Sequence, residues 1–203
     1  MKGIQAGVFL MLITFSCAAQ SVSFQVQKLL VEGRVQDQKG EFSKAEESFR
    51  LALYVDSTNV AVRIALGILY HKCDRYEKAL MELNTALQYD IQNADAHFVR
   101  ANIYTDMGML SFALSDYSQA IAEKPTMLDA YLNRGFLYSE MSLFENAIND
   151  FSIAIQIDRD AAVAHYSFMR VQGVLVLEKN CSYAGNQSAN DIRASMVFNT
   201  FCF

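Results

Sequence analysis

Apolar residues in this chain recur three or four positions apart in short stretches, the spacing that lines one face of an α-helix. Ile64 and Ile68 flank Gly67 in one stretch, and Ala79, Leu80, Leu83 and Leu87 mark the next. Breakers or polar turn formers separate them: Lys39-Gly40, Cys73-Asp74, Met107-Gly108 and Met141-Ser142. The pattern predicts paired amphipathic helices, a helix A and a helix B in each pair.

The pairs repeat every 34 residues. Ala45, Ala79, Ala113 and Ala147 stand one period apart, as do Ala52, Ala86, Ala120 and Ala154. Gly33, Gly67, Ala101 and Gly135 hold a third register, and Phe49, Leu83, Tyr117 and Phe151 a fourth. A fixed period of this length means a supersecondary unit that cannot bury its apolar face alone and stacks on copies of itself. The small residues let two helix backbones approach, and the aromatics fill the space beside them. Phe42, Tyr76, Leu110 and Phe144 share a register expected to wedge helix B against its neighbour.

Within residues 128–161, Tyr131, Gly135, Tyr138, Ala147, Phe151 and Ala154 resemble the tetratricopeptide signature. Residues 94–127 match through His97, Ala101, Tyr104, Ala113, Tyr117, Ala120 and Pro125, the only proline, placed where the family ends its second helix. Residues 60–93 match with Gly67, Tyr70, Ala79, Leu83 and Ala86. Residues 26–59 are degenerate, with Gly33, Ala45, Phe49 and Ala52 kept and Gln36 in place of an aromatic. The resemblance implies an all-α fold, a right-handed α-solenoid of tandem helix-turn-helix repeats with a C-terminal capping helix. It implies little about the partner, because such scaffolds host unrelated functions.

With 203 residues and an apolar fraction of 52%, the chain is long enough to bury a continuous core. The formal charge of −5, or −6 without Lys2, and the lack of a basic cluster argue against nucleic acid. Residues 1–19 read as an export signal: Lys2, then the apolar run Val8 to Phe15, then Ser16-Cys17-Ala18-Ala19. Cleavage after Ala19 leaves Gln20 first; the other route is lipidation at Cys17, the only membrane attachment expected. The mature chain is expected to enter its first helix near Ser23. In an oxidising compartment Cys181 and Cys202 either close a loop over the tail or pack as thiols, while Cys73 is expected free. The resemblance to exported bacterial proteins of this family, often framed by two such cysteines at the C-terminus, favours the bridge.

After the fourth repeat, residues 162–179 read as a fifth helix A that caps the array. Ala164, Phe168, Val171, Leu175 and Val176 form its stripe. Residues 180–203 form a tail: a turn-rich break at Asn180 to Gly185, then a short helix near 189–200. Its Ile192 and Met196, with Phe201 beyond, fold back onto the last repeat. The aromatic end, Val197 to Phe203, is expected to be pinned down or to dock on another protein.

No catalytic, metal or cofactor constellation emerges. His71, His97 and His165 lie in three different repeats, and no His or Cys pair has close ligand spacing. His97 and His165 occupy a position that packs helix A on helix B. Glu46-Glu47 read as a solvated helix face. Surface remains, and the family resemblance implies a groove lined by the helices A. Mapped here, that gives Arg34, Ile68, Lys72, Asp95, Phe98, Asn102, Asp106, Asp129, Phe136, Glu140, Tyr166 and Arg170. Phe98, Phe136 and Tyr166 are expected to form a ladder of aromatic anchors on that face. Arg34 and Lys72 precede the acids Asp95, Asp106, Asp129 and Glu140. The expected partner is a protein or peptide carrying Lys or Arg toward repeats three and four, and no cofactor is expected. A carboxylate clamp, which needs converging Lys, Arg and Asn, does not fit, since acids surround Asn102.

Overall fold

A computed structural model describes residues 2–186, with side chains described over 20–177. Among these residues the chain is all helix: α1 (Lys2–Gln38), α2 (Phe42–Val55), α3 (Val60–Lys72), α4 (Tyr76–Tyr89), α5 (Ala94–Asp106), α6 (Leu110–Glu123), α7 (Leu128–Glu140), α8 (Phe144–Ile157) and α9 (Ala162–Asn186). This is the expected solenoid of helix hairpins. Helices α2 to α8 each have 13 or 14 residues. Helices that short are marginal alone in water, so burial of one face holds them.

The chain divides into two compact units, up to Gln119 and from Ala120 on. In the first, Leu30, Phe49, Leu66, Tyr70, Leu83 and Ile103 belong to one core that runs through α1 to α5. In the second, Phe144, Phe151 and Val171 form one cluster and Tyr131, Ala154 and Ala164 another. The Ala registers are fully buried throughout.

The Gly register is where each helix A meets its helix B. A Cβ on Gly33 would run into the Phe49 ring, and one on Gly67 would lie 2.8 Å from Leu83. In the second unit a Cβ on Gly135 would lie 2.7 Å from Phe151. The absent side chain is the space that the buried helix-B residue occupies.

The A-to-B turns repeat as closely. Gly40, Asp74, Gly108 and Ser142 all have left-handed backbone, with φ of 76°, 55°, 71° and 58°. The amide after each donates to a carbonyl five residues back: Glu41 to Gln36, Arg75 to Tyr70, Met109 to Tyr104 and Leu143 to Tyr138, at 2.8–2.9 Å. This Schellman closure satisfies carbonyls the helix end would otherwise orphan, and it favours glycine at the left-handed position. Ser142 is a serine in a glycine's place. Ser142→Gly is therefore expected to stabilise the protein by about 0.5–1 kcal/mol, read as a higher urea midpoint at unchanged slope.

Polar pairs buried between the helices of a hairpin fix their register. Asp116 of α6 takes Arg100 of α5 through two bonds, Nε at 2.7 Å and Nη2 at 2.8 Å. Asp150 of α8 takes Arg134 of α7 the same way, both at 2.8 Å, one period later. The hydrogen bonds that Arg100 donates to Asp116 outweigh burial and raise the Arg100 pKa above its usual value. Burial opposes charge on Arg134, but its bonds to Asp150 prevail and the guanidinium is likewise held protonated. In the second repeat Arg63 reaches Glu82 at 2.7 Å and the Ser57 carbonyl at 2.6 Å. Buried His97, one period on, bridges the equivalent pair, Asp116 at 2.9 Å and the Ile91 carbonyl at 3.0 Å.

Three expectations are corrected. Helix α1 runs unbroken from Lys2 rather than starting near Ser23, since no proline interrupts Val8 to Phe15. Helix α9 continues through Asn186, past the expected break at Asn180 to Gly185; one glycine and no proline there are too weak to end a helix. Phe42 is 40% exposed and does not wedge, whereas Phe144 at the same register is buried. The tail helix near 189–200, Ile192, Met196, Phe201 and the Cys181–Cys202 bridge involve residues outside those described. The Cys17 and Cys181 side chains are also outside them. The Cys73 thiol is free.

Candidate partner-binding faces

In each unit the helices A lie side by side on one face. In the first, α1 packs along α3 and α3 along α5; in the second, α7 packs along α9. One side of each helix A packs into its hairpin, which leaves the expected groove residues partly or fully exposed.

In the first unit Ile68 and Phe98 are half-buried, and Phe98 rests on Tyr117 with ring centroids 6.1 Å apart. The Tyr117 hydroxyl donates to Asn102 Oδ1 at 2.6 Å, so Asn102 is tied to the core beneath it. An ion pair and a hydrogen bond link the face from one repeat to the next. Lys72 reaches Asp37 at 2.6 Å, and His71 meets Asp106 at 2.5 Å, each across 35 positions. Lys72 and Asp106, expected as free recognition charges, are thus engaged within the protein. The Asp37 oxygen not bonded to Lys72 is buried without a partner among the described residues. Arg34 and Asp95 are exposed.

In the second unit Phe136 is 38% exposed, and its ring sits edge-on to fully buried Phe151 with centroids 5.3 Å apart. The contact fixes one edge of the ring and leaves the rest open. Asp129 and Glu140 are exposed on the same helix, and Tyr166, 68% exposed, and Arg170 stand on α9. This patch therefore combines two open aromatics with carboxylates and one guanidinium. The three expected aromatics divide between the units: Phe98 belongs to the first, Phe136 and Tyr166 to the second.

The histidines are placed by packing. His97 is buried between α5 and α6, while His165, at the same repeat position, is exposed with its ring on the Arg159 carbonyl at 2.9 Å. Among the described residues no cluster of His, Cys, Asp and Glu has metal-binding geometry. No described helix is long and apolar enough to cross a membrane.

The interrepeat polar contacts were not foreseen. Their signal was in the sequence: basic and acidic side chains one period plus one residue apart, Asp37 with Lys72, and His71 with Asp106. The Arg and Asp 16 positions apart, repeated in the third and fourth repeats, were legible in the same way.

Comparison with known proteins agrees with this geometry. A tetratricopeptide-repeat model matches residues 29–59 and 128–161, and a second model of the same repeat matches 69–108. Together they cover just over half of the chain. Among solved structures, PilF of Pseudomonas aeruginosa superposes with a TM-score of 0.72 at 17% identity, over 88% of this chain and 86% of that one. A tetratricopeptide repeat protein from Parabacteroides merdae gives 0.63 at 23% identity, over 80% and 68%. The first repeat domain of Spaghetti (RPAP3), solved with the HSP90 peptide SRMEEVD, gives 0.56 at 22%, over 60% and 96%. Identities this low carry the fold alone. No curated protein sequence matches significantly.

Proposed function

For a chain that belongs to the tetratricopeptide-repeat family, we propose a non-enzymatic role: it holds a partner protein or peptide on the helix-A faces, outside the cytoplasm. The supporting observation is Phe136, an aromatic ring braced from below by buried Phe151 and open above. A ring already fixed loses little freedom on binding, and buried aromatics near the centre of a contact carry much of its energy. Exposed Asp129 and Glu140 beside it suit a partner segment with an apolar side chain next to Lys or Arg. In the first unit Arg34 gives the face one open cation, since Lys72 is neutralised by Asp37. That other repeat domains bind peptides, as the Spaghetti domain does, fits this reading.

The export part rests on residues 1–19 and on a mature start at Gln20. The second reading, a lipid-anchored structural or assembly component of a bacterial envelope, rests on Cys17. Mass spectrometry of the mature N-terminus separates them: free Gln20 supports the first, and a diacylated Cys17 the second. For the binding role, Phe98→Ser and Phe136→Ser are each expected to reduce recovery of the cross-linked partner at least tenfold from the native host. Unchanged recovery from both folded variants would remove the helix-A faces as the binding surface.

A further inference from the structure

In the first unit the helices A carry a register that their own helix B does not cover. In α1 it holds Lys28, Val31 and Val35; one period on stand Val62, Ala65 and Leu69 of α3, and two periods on Ala96, Val99 and Ile103 of α5. Val31 and Val35 flank Gly33, so the register lies about 200° around the helix from the side that meets helix B. In α3 and α5 it is buried, nowhere more than 8% exposed. Each of these helices packs on the helix B before it, α3 on α2 and α5 on α4. In α1 the same register is open. Val31 is 55% exposed, Val35 41%, Lys28 is exposed, and Phe24, one turn earlier, is 73% exposed. A face of the kind that takes a helix twice within this unit stands uncovered here.

We propose that this face takes the same face of a second copy of the chain, the two α1 helices running antiparallel about a two-fold axis. The stripe Phe24, Lys28, Val31, Val35 is spaced four, three, four, the spacing of a coiled-coil seam, and it reads the same in either direction. With the axis between residues 29 and 30, Phe24 of each copy meets Val35 of the other, and the Lys28 stem lies along Val31.

Charge selects the same arrangement. In the antiparallel pair the Lys28 ammonium comes within reach of Glu32 of the other copy, twice by symmetry, and Arg34 stands opposite Gln27, so no like charges meet. A parallel pair would set Lys28 against Lys28 in the middle of the seam. A two-fold contact uses one face on each copy and closes at two. It is a single helix pair, small for a permanent dimer, so the association is expected to be weak and concentration-dependent. The inference stands apart from the partner-binding role, whose principal residue, Phe136, lies in the other unit.

Sedimentation of the purified full chain at rising concentration is expected to show a monomer–dimer equilibrium, weakened at least tenfold by Val31→Glu with the circular-dichroism spectrum unchanged. Lys28→Glu and Glu32→Lys should each weaken it about tenfold, and the two together should restore it, because the reciprocal pairs re-form with their charges exchanged. A 1:1 mixture of Phe24→Cys and Val35→Cys proteins should, under mild oxidation, link position 24 to position 35 faster than either variant links to itself, as read by peptide mapping. A monomer at every concentration, a dimer that Val31→Glu leaves intact, or preferred linkage of 24 to 24 would each overturn the proposal. A monomer whose Phe24→Cys thiol resists alkylation would assign the face to another part of the same chain.

Discussion

Asp150→Ala is expected to cost about 3–5 kcal/mol, the range for removing one member of a buried ion pair. The carboxylate side chain is 1% exposed and receives two charged bonds from Arg134, whose side chain is 15% exposed. Removing it strands a guanidinium whose charge burial already opposes. The double variant Asp150→Leu with Arg134→Leu should recover most of the loss, because an apolar pair of similar volume does not need solvent. Urea unfolding followed by circular dichroism measures both. Equal losses in the single and double variants would mean that packing volume, not the stranded charge, sets the cost.

Phe151→Ala is expected to cost about 3–5 kcal/mol as well, by opening a cavity in the second unit's core. Its ring is fully buried, lies under Phe136 and occupies the space left by Gly135. The informative experiment is the cycle with Gly135→Ala. In the native background the added methyl meets the ring at 2.7 Å, and the overpacking costs about 1–3 kcal/mol, offset by about 1 kcal/mol of helix propensity. With Phe151→Ala in place the clash is gone, and Gly135→Ala should become stabilising. A methyl that stays destabilising in both backgrounds would show that Gly135 serves something other than this ring.

The repeating part of the fold was legible because one physical constraint is imposed several times. Gly33, Gly67 and Gly135 each face a bulky helix-B residue, so the register stands out against the noise of any single repeat. The turns were legible as positions, Gly40, Asp74, Gly108 and Ser142, although only the backbone shows that all four are left-handed. The polar contacts were harder to see. Arg100 with Asp116 and Arg134 with Asp150 occur in only two repeats, and Arg63 and His97 fill one role with different side chains. The helix ends were misread because local signals at Ser23 and Asn180 are weak next to the propensity of the flanking residues. At the candidate faces, the sequence identified which side chains reach the surface, including Phe136 and Tyr166. It did not separate exposed charges from those already used, so Lys72 and Asp106 looked available while Asp37 and His71 hold them.

Partner binding on the helix-A faces is tested most directly by site-specific photo-crosslinking in the native host. Benzoylphenylalanine is placed at Phe136 in one variant and at Tyr54, 90% exposed on helix B of the first repeat, in another. The expected result is one discrete protein adduct from position 136 and none of that mass from position 54. The same adduct from both positions, or from position 54 alone, would contradict it.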